Sequence, residues 1–421
     1  MLSKFKASLA QGDSIIVEGP ARVKVLKGIV EVFACPVGEG LELTVPLGKQ
    51  APVASVEGSE LEVYSCSPPE HTKSNPIPES WRSLAEELAA QQKATCMVVG
   101  APDSGKSSLT LFLSNTLARE GKTVGIVDSD IGQSDIGPPG VIGAAVLRAP
   151  APSYSSISLL DGCFIGDKAP AGHLLQVVVG TYRMLDKCRQ AGATHVIVNT
   201  SGMVYGGAAR ALKEAKIELI APTHLAALEA QGELSHILKP IPKSVECIRL
   251  KVSEYARETG RSERIFLRES SMRKFLKDAR RTTLNMDEVT LKQTILGTGR
   301  QLTEEDLSEL RAQTRLSIQY AEESADYVLA VTDSGRAHER TMGGKPVKVV
   351  PRSAFSSLYI GLIGESTLLG VGILEHLDLA RRTLAAKAAL FKQGSISSVA
   401  LGYLYLTEDG RELGRRKPGD F

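Results

Sequence analysis

The amino-acid sequence predicts an α/β fold in which a central parallel sheet is flanked by helices, with smaller N-terminal and C-terminal β-rich domains. Three observations predict this architecture. Short runs that alternate between polar and apolar residues, separated by Gly and Pro, fill the first 67 residues. Apolar strands then alternate with helical segments from Lys93 onwards, and β-type runs return beyond Ala325. A length of 421 residues exceeds that of a usual single core, which indicates several domains.

The composition is that of an ordinary globular protein without an overall charge bias. Hydrophobic residues make up 43% of the chain and charged residues 23%, and the formal net charge is +2. Nucleic-acid affinity would therefore need a local basic patch. The six cysteines form no C-x-x-C pair, which argues against a zinc site and a disulfide framework and is typical of a reducing cytosol. The sequence has no signal-like N-terminus and no apolar run of membrane-spanning length, so we expect a soluble, cytoplasmic protein that binds no membrane.

Residues 1–67 are predicted to form an N-terminal β-sandwich-like domain, and residues 68–92 a proline-rich linker followed by a helix. The runs Ser14–Glu18, Ala21–Leu26 and Leu41–Val45 alternate with period two and are bounded by turn residues. Two roles stay open for this domain. It is either a packing or interaction module, or it contributes an edge to a ligand site of the central domain.

The central domain, predicted to span residues 93–300, begins with a phosphate-binding loop. Gly100–Ser107 matches the pattern G-x-x-x-x-G-K-[ST] between an apolar strand-like run and the helical segment Ser107–Arg119. Inward-turning backbone N–H groups and the helix dipole favour a triphosphate, so we expect a P-loop NTPase sheet that binds ATP. In this pattern Lys106 contacts the β- and γ-phosphates and the Ser107 hydroxyl ligates Mg²⁺ or another divalent cation. The predicted nucleotide-binding residues are Gly100, Ala101, Pro102, Asp103, Ser104, Gly105, Lys106, Ser107 and Ser108.

A pair of aspartates follows the second predicted strand of this domain. Lys122–Val127 is largely apolar and leads into the segment Asp128–Gln133, with the sequence D-S-D-I-G-Q. Ligands of parallel sheets bind beyond the carboxyl ends of the strands, where these acids fall. Because side chains alternate along a strand, Asp128 and Asp130 lie on one side. One carboxylate can hold Mg²⁺ or its water while the other accepts a proton; alternatively, the pair only caps the following turn.

Polar residues also follow the third predicted strand, His195–Asn199. The segment Thr200–Gly202 can contact phosphate oxygens there, although an ordinary strand-end turn explains it as well. A further strand is predicted over Ile217–Ile220. It precedes His224, which we interpret as structural because no dyad partner lies beside it in the sequence.

One stretch, residues 239–281, is strongly basic, with thirteen Lys and Arg against six Asp and Glu. Four of its arginines recur at three- and four-residue spacing, so a helix would place them along one side: Arg257, Arg261, Arg264 and Arg268. Such a row suits transferring phosphoryl groups or a nucleic-acid backbone, and a solvated charged helix is the alternative. Residues 301–421 are predicted to form a C-terminal β-rich domain that opens with a helix capped by Thr303.

Taken together, these segments resemble the Clp1/Grc3/Nol9 polynucleotide 5′-hydroxyl kinases. The phosphate loop, the D-x-D-x-G-Q segment, Thr200–Gly202 and the arginine row occur in the order seen in that family. Phe164–Pro170 and Leu368–Leu374 extend the similarity, which covers the chain from about residue 10 to about residue 407. The chain is most similar to the archaeal-type enzymes, which have a compact three-domain layout.

The resemblance implies ATP-dependent phosphorylation of RNA or DNA 5′-hydroxyl ends. It implies that Asp130 is the general base and that Asp128 belongs to the metal and water network. Both acids would join Ser107 as metal ligands, and Lys106 would act in catalysis. Gln133 would lie near the substrate phosphate.

The resemblance also assigns a clasp and a lid. The clasp around the acceptor end would consist of Thr200, Ser201 and Gly202. The best matches to the paired catalytic lid arginines are Arg264 and Arg268, with registers through Arg257 or Arg261 left open. Eukaryotic members often have Trp after the clasp glycine, where this chain has Met203, so a flat ring for base stacking is absent from that position.

Two other functions remain as alternatives. One is an ATP-binding assembly module of an RNA-processing complex that does not turn ATP over, and the other is a nucleotide-hydrolysing switch. The base-like Asp130 and the arginine row favour the kinase, because a scaffold needs neither. The sequence leaves open the preference between RNA and DNA, the triphosphate used, the oligomeric state and the protein partners.

Overall fold

The computed structural model describes residues 2–333 and 341–421, which form two compact units. The first unit contains Met1–Gly137, Val141–Cys163 and Ala169–Arg268. The second unit contains Pro138–Gly140, Phe164–Lys168 and Glu269–Phe421. None of the described helices combines the length and the hydrophobicity needed to cross a membrane.

Nine strands of the described chain form two antiparallel sheets in the N-terminal part of the first unit. Their bounds are β1 Ser3–Leu9, β2 Ser14–Glu18, β3 Ala21–Lys27, β4 Val30–Val32, β5 Cys35–Val37, β6 Glu42–Val45, β7 Gln50–Ser55, β8 Ser59–Ser65 and β9 Glu70–Thr72. The strand orders are β1-β8-β3-β6 and β5-β4-β7-β2-β9. Alternate side chains point inward, so Val23 and Val63 of one sheet share a core with Ile15 and Val53 of the other. The N-terminal β-rich region is therefore as predicted, except that the linker also supplies β9.

The central sheet has seven strands among the described residues. They are β10 Ala94–Gly100, β11 Val124–Ser129, β12 Val141–Leu147, β13 Asp161–Phe164, β14 His195–Thr200, β15 His224–Glu229 and β16 Glu246–Lys251. Their order is β13-β12-β11-β14-β10-β15-β16. Five neighbouring strands of this order, β11, β14, β10, β15 and β16, are parallel as predicted. On the other side of β11, β12 is antiparallel to it. A parallel return needs a crossover of about a dozen residues or more, usually a helix, and no helix separates β11 from β12.

Six helices of the described chain accompany these sheets. They are α1 Glu79–Ala90, α2 Lys106–Arg119, α3 Leu174–Gln190, α4 Gly207–Ile220, α5 Ser235–Leu238 and α6 Arg261–Leu276. The predicted strand Ile217–Ile220 is wrong, because these residues form the last turn of α4. The buried face of α4 has helical spacing but includes Lys213 and Lys216, which conceals the apolar period in the sequence. The predicted arginine helix begins at Arg261, so Arg257 lies before it.

The C-terminal region contains twelve strands, one α-helix and one short 3-10 helix, Arg352–Phe355, among the residues that the structure describes. The strands are β17 Arg280–Asn285, β18 Thr290–Lys292, β19 Arg300–Gln301, β20 Ile318–Glu323, β21 Val328–Thr332, β22 Thr341–Met342, β23 Lys345–Pro351, β24 Leu358–Ile363, β25 Leu368–Asp378, β26 Thr383–Leu390, β27 Ser398–Leu406 and β28 Glu412–Arg415. The first sheet has the order β17-β26-β25-β24-β27-β18, with β28 paired to β27, and the second has the order β19-β20-β21-β23-β22. Helix α7, Glu304–Thr314, begins with the predicted Thr303 cap, which forms a capping box with Asp306.

The pairing of the strands shows that the C-terminal β-rich region begins before residue 300, where the sequence predicted the boundary. β17 and β18 precede that residue, yet β17 pairs with β26 and β18 pairs with β27. Both strands are short and largely exposed, so their polar sequences gave no period-two signal. The basic segment 239–281 accordingly spans the end of the first unit and the beginning of the second.

Candidate active site

The phosphate loop lies where the buried strand β10 leads into α2. β10 is parallel to β14 on one side and to β15 on the other. Gly105 has a φ of 89°, in the left-handed region that favours glycine, and α2 begins at the next residue, Lys106. The first backbone N–H groups of a helix lack partners within it and lie at the positive end of its dipole, so they attract anions. The predicted strand–loop–helix setting is confirmed.

The Lys106 side chain is buried at this loop, with 7% of its surface exposed. Its Nζ donates a hydrogen bond of 2.6 Å to the backbone oxygen of Ala101. Burial lowers the pKa of Lys106, whereas the carboxylates of Asp130 and Asp103 oppose that shift. Lys106 and Asp130, which lie on neighbouring segments of the site, therefore interact electrostatically.

The Asp128 carboxylate is buried among hydrogen-bond donors at the carboxyl end of β11. Oδ1 accepts from the Asp130 backbone N–H at 3.2 Å and from Asn199 Nδ2 at 3.1 Å. Oδ2 accepts from the backbone N–H groups of Asp135 at 2.6 Å and Ile136 at 3.2 Å. Burial, followed by the charges of Asp135 and Asp130, raises the pKa of Asp128 to about 7. A bound cation would favour the ionised carboxylate.

One carboxylate oxygen of Asp130 is hydrogen-bonded within a turn. Oδ1 accepts hydrogen bonds from the backbone N–H groups of Gly132 at 3.1 Å and Gln133 at 3.3 Å. This is the turn-capping arrangement that the sequence left open as an alternative. These two bonds of the turn do not use Oδ2. The turn thus orients the carboxylate without using both oxygens, and it places the half-buried Gln133 beside it.

Asn199 connects the phosphate loop to the acids, and sequence reasoning missed it as a site residue. Its Nδ2 lies 3.1 Å from Asp128 Oδ1 and 3.4 Å from Ser107 Oγ. The sheet order places β14, which contains Asn199, between β11 and β10. An amide at the carboxyl end of a strand before a polar turn was the signal available in the sequence.

The segment Thr200–Gly202 lies against the phosphate loop. A Cβ on Gly202 would come within 2.8 Å of the backbone N and Cα atoms of Pro102, so glycine is required for this close approach. The Thr200 hydroxyl donates a 2.7 Å hydrogen bond to the backbone oxygen of Val98 in β10. The structure thus brings the predicted clasp residues next to the predicted nucleotide-binding residues.

Two fully buried lysines of α4 support these segments, and neither was predicted. Lys213 Nζ donates to Thr200 Oγ1 at 2.8 Å and to the Ser201 backbone oxygen at 2.6 Å. Lys216 Nζ donates to Ser129 Oγ at 2.8 Å. Burial lowers the pKa of both amines, that of Lys216 to about 7. Each lysine therefore fixes the strand end from which predicted site residues project.

The predicted lid residue Arg264 contacts the phosphate loop through Asp103. Arg264 Nη2 lies 2.6 Å from Asp103 Oδ2, and the same oxygen accepts a 2.8 Å hydrogen bond from the Thr259 backbone N–H. Asp103 has a φ of 61°, an unusual backbone conformation for a non-glycine residue. The ion pair brings a guanidinium group to the loop that would hold the phosphates.

The other arginines of the row have different surroundings. Arg257 Nη1 lies 3.2 Å from Glu18 and Nη2 lies 2.9 Å from Glu263, so its charge is paired. Arg261 is exposed at the first position of α6. Arg268 is half-buried, one helical turn beyond the arginine that contacts Asp103. Because Arg264 and Arg268 are four residues apart on α6, both lie on the same side of the helix.

The N-terminal sheets contribute a further cation near the acids. Lys49, in the loop before β7, lies with its Nζ 2.6 Å from Asp135 Oδ1. Asp135 in turn donates its backbone N–H to Asp128. The neighbouring Gly48 lies so close to Leu267 of α6 that a Cβ would meet that side chain at 2.5 Å. These contacts agree with the interpretation that the N-terminal domain contributes an edge to the site.

Several buried polar atoms of the site have no hydrogen-bond partner among the described residues. They include Ser104 Oγ, Asp135 Oδ2, Asn199 Oδ1 and Ser201 Oγ. Hydroxyl groups can donate to phosphate oxygens, and an amide oxygen, such as that of Asn199, is a ligand that Mg²⁺ accepts. Buried polar groups normally have partners, so these atoms fit a bound nucleotide and a hard divalent cation.

The fold and the loop together define a P-loop nucleotide-binding protein. The sequence model described as the mRNA cleavage and polyadenylation factor CLP1 P-loop matches residues 100–278. A polyribonucleotide 5′-hydroxyl-kinase of Pyrococcus furiosus is 31% identical, over 78% of this chain and 92% of that protein. The same-named protein of Thermococcus kodakarensis is 32% identical over 80% of this chain and 95% of its own length. The polyribonucleotide 5′-hydroxyl-kinase Clp1 of Xenopus tropicalis is 26% identical over 65% of this chain and 67% of that protein.

A solved structure has the same fold. Clp1p, in its complex with a Pcf11p segment, superposes with a TM-score of 0.64 over 95% of this chain and 97% of Clp1p, at 14% sequence identity. With the sequence similarities, this fold agrees with the resemblance noted in the motifs. The chain belongs to the Clp1-containing family of polyribonucleotide 5′-hydroxyl-kinases.

Proposed function

We propose that this protein transfers the γ-phosphoryl group of ATP to the 5′-hydroxyl end of RNA. The observation that supports this most strongly is the meeting of three segments at neighbouring strand ends. The phosphate loop follows β10, and Asp128 and Asp130 lie at the carboxyl end of β11. The segment Thr200–Gly202 lies at the carboxyl end of β14, the strand between β11 and β10. A site for the donor phosphates thus adjoins both a base and a clasp for the acceptor.

In the proposed reaction, Asp130 orients the acceptor hydroxyl and takes its proton. The 5′-oxygen forms a bond to the γ-phosphorus as the bond between that phosphorus and the β,γ-bridging oxygen breaks, and ADP leaves. Asp130 suits the role because its Oδ1 is fixed by the turn while Oδ2 is available. Gln133, from the same turn, would bind the phosphate that follows the acceptor nucleoside.

The cationic residues of the site would stabilise negative charge on the phosphates. Lys106 lies at the loop and would exchange its bond to Ala101 for the β- and γ-phosphate oxygens. Arg264 is already at the loop through Asp103, and Arg268 follows it on α6. We propose that these two arginines form the lid over the transferring group.

We propose Mg²⁺ as the metal, although another divalent cation would satisfy the same oxygen ligands. Ser107 and Asp128 would hold it, directly or through water, with Asp130 adjacent, and Asn199 is an additional candidate ligand. The cation would neutralise charge on the β- and γ-phosphate oxygens.

The proposal is tested by transfer of label from γ-labelled ATP to a 5′-hydroxyl RNA oligonucleotide. We expect the wild-type protein to label the RNA and Lys106→Ala to lose this activity while remaining folded. Retention of ATP without any labelled RNA would instead support the assembly-module alternative. ATP loss that does not depend on the oligonucleotide would support the hydrolysing switch. A DNA oligonucleotide of the same sequence, assayed in parallel, measures the preference for RNA.

A further inference from the structure

Three ionisable side chains meet at the opposite, amino end of the central sheet. His224 is the first residue of β15 and Glu246 the first residue of β16, and the two are register partners in the parallel pair. Glu87 comes from α1. One nitrogen of His224 and one oxygen from each glutamate all lie within 4.8 Å of one another. The phosphate loop follows the carboxyl end of β10, so this cluster lies at the other end of the strands.

The hydrogen bonds behind His224 suit a ring with its proton on Nδ1. Thr223 Oγ1 donates its single proton to the Thr95 backbone oxygen at 3.0 Å and accepts from the Thr95 backbone N–H, also at 3.0 Å. With the hydroxyl proton in that bond, the 2.8 Å contact between Thr223 Oγ1 and His224 Nδ1 is one in which the hydroxyl oxygen accepts from the ring. In this tautomer Nδ1 carries the hydrogen, and the lone pair of the neutral ring is on Nε2.

The lone pair of His224 Nε2 faces two carboxylates. Nε2 lies 3.4 Å from Glu87 Oε1 and 3.7 Å from Glu246 Oε2. The His224 side chain is only 5% exposed, and Nε2 is buried without a hydrogen-bond partner among the described residues. A buried lone pair beside two negative oxygens is unfavourable unless a positive charge lies between them.

We propose that Glu87, His224 and Glu246 bind a divalent transition-metal cation of the zinc class. Zinc bonds to imidazole nitrogen and carboxylate oxygen are about 2.0–2.2 Å long, which places neighbouring tetrahedral ligands about 3.3–3.5 Å apart. The two separations from Nε2 are close to that value. The bond from Nδ1 to Thr223 is the outer hydrogen bond that orients a metal-binding histidine.

The exposure of the ligands is compatible with metal entry from solvent. The Glu87 side chain is 36% exposed and that of Glu246 is 60% exposed, so water can complete the coordination. The site would join β15 and β16 to α1, which precedes them by more than a hundred residues. Sequence reasoning argued against zinc from cysteine spacing alone, but this set contains no cysteine.

The test uses the full-length protein and Zn²⁺ or Co²⁺ as the probe. Excess Mg²⁺ is added to saturate the proposed metal site at Ser107 and Asp128. Titration calorimetry should give one Zn²⁺ equivalent for the wild type, and Co²⁺ should give the visible absorption of a tetrahedral complex. Glu87→Gln and Glu246→Gln should each weaken binding at least tenfold. Glu86→Gln, an exposed neighbour on α1, and Cys247→Ser, which removes an exposed thiol beside Glu246, should bind as the wild type does.

Two controls make the result decisive. Asp128→Asn should retain the Zn²⁺ equivalent, because its site is at the other end of the sheet. Equal melting temperatures of the glutamine variants and the wild type in chelator would show that the variants are folded. The proposal is overturned if binding is lost with Asp128→Asn or Cys247→Ser but not with the glutamine variants. It is also overturned if NMR shows His224 doubly protonated at neutral pH with Zn²⁺ present, since a proton would then supply the positive charge.

Discussion

At the carboxyl end of the central sheet, lysine and arginine side chains approach the strand ends, whereas at the amino end two carboxylates flank one imidazole. The carboxyl end has Lys106 in the loop and Lys213 and Lys216 beneath the neighbouring turns. Its acid Asp128 is met by several N–H donors. Nε2 of His224, at the amino end, has no hydrogen-bond partner among the described residues.

This difference indicates that side chains, and not the strand geometry alone, determine which charge of ligand each end would favour. Parallel strands place residues in register at both ends, which assembles clusters from segments far apart in sequence. Positive groups and free N–H donors at one end favour a polyanion such as a nucleoside triphosphate. Two carboxylates and a lone pair at the other end favour a cation.

The largest expected effect comes from Asp130→Asn at the carboxyl end. The amide cannot accept the hydroxyl proton, so the transfer rate should fall by about 10²- to 10⁴-fold. The affinity for ATP should remain nearly unchanged, because the substitution keeps an oxygen that can cap the turn. Single-turnover labelling and equilibrium ATP binding measure the two effects. An equal loss of both would assign Asp130 to nucleotide binding instead of catalysis.

A smaller effect is expected from Gly202→Ala, which tests the close packing of the clasp on the phosphate loop. The new Cβ would approach the Pro102 backbone at 2.8 Å, so one of the two segments has to move. Displacement of reacting groups by about 1 Å costs up to about 100-fold in rate, and we expect a loss of about 10- to 100-fold. Gly207→Ala is the matched control, because its Cβ would have no atom within 4 Å. Equal rates for both variants would contradict the packing argument.

The smallest expected effect on rate comes from Lys216→Met, which removes the amine that holds Ser129. Loss of one buried hydrogen bond is worth about 1 kcal/mol, so the transfer rate should fall by about tenfold at most. The methionine fills a similar volume in the core. Restoration of activity by Lys216→Arg would show that a donor at this position, rather than packing, is what the site requires.

The same variant has a defined pH dependence of stability. Burial lowers the pKa of Lys216 to about 7 from 10.5, so between these values the unfolded chain binds more protons than the folded one. The contribution of Lys216 to stability therefore rises with pH across this window, by at most about 1.4 kcal/mol per pH unit. Melting curves of wild type and Lys216→Met from pH 7 to pH 10 should diverge in favour of the wild type. Parallel curves would show that the amine does not titrate in this range.

The site residues at the strand ends could be predicted because each of them lies close in sequence to the apolar run that forms its strand. Asp128, Asp130 and Thr200 come within three residues of the end of an apolar run, and a parallel sheet brings such ends together. Lys213 and Lys216 were missed because lysine is normally exposed, so two lysines on the buried face of α4 concealed its helical period. That concealment also produced the wrong strand over Ile217–Ile220.

The cluster at the amino end could not be predicted because its members have no sequence pattern. Glu87 and Glu246 are 137 and 22 residues from His224, and only the packing of α1 and the register of β15 with β16 bring them together. The interpretation of His224 as structural followed from its sequence neighbours alone. Contacts of this kind need tertiary structure, since metal ligands from three elements obey no fixed spacing.

The assignment of the carboxyl end as a kinase site is tested most directly by an acceptor competition. Equal amounts of a 5′-hydroxyl RNA and the same RNA with a 5′-phosphate are incubated with γ-labelled ATP, and label and ADP are measured together. We predict that label enters only the 5′-hydroxyl strand, that a phosphatase removes it, and that ADP forms in equal amount. ADP formed at the same rate without any acceptor, with no label on either strand, would contradict the account.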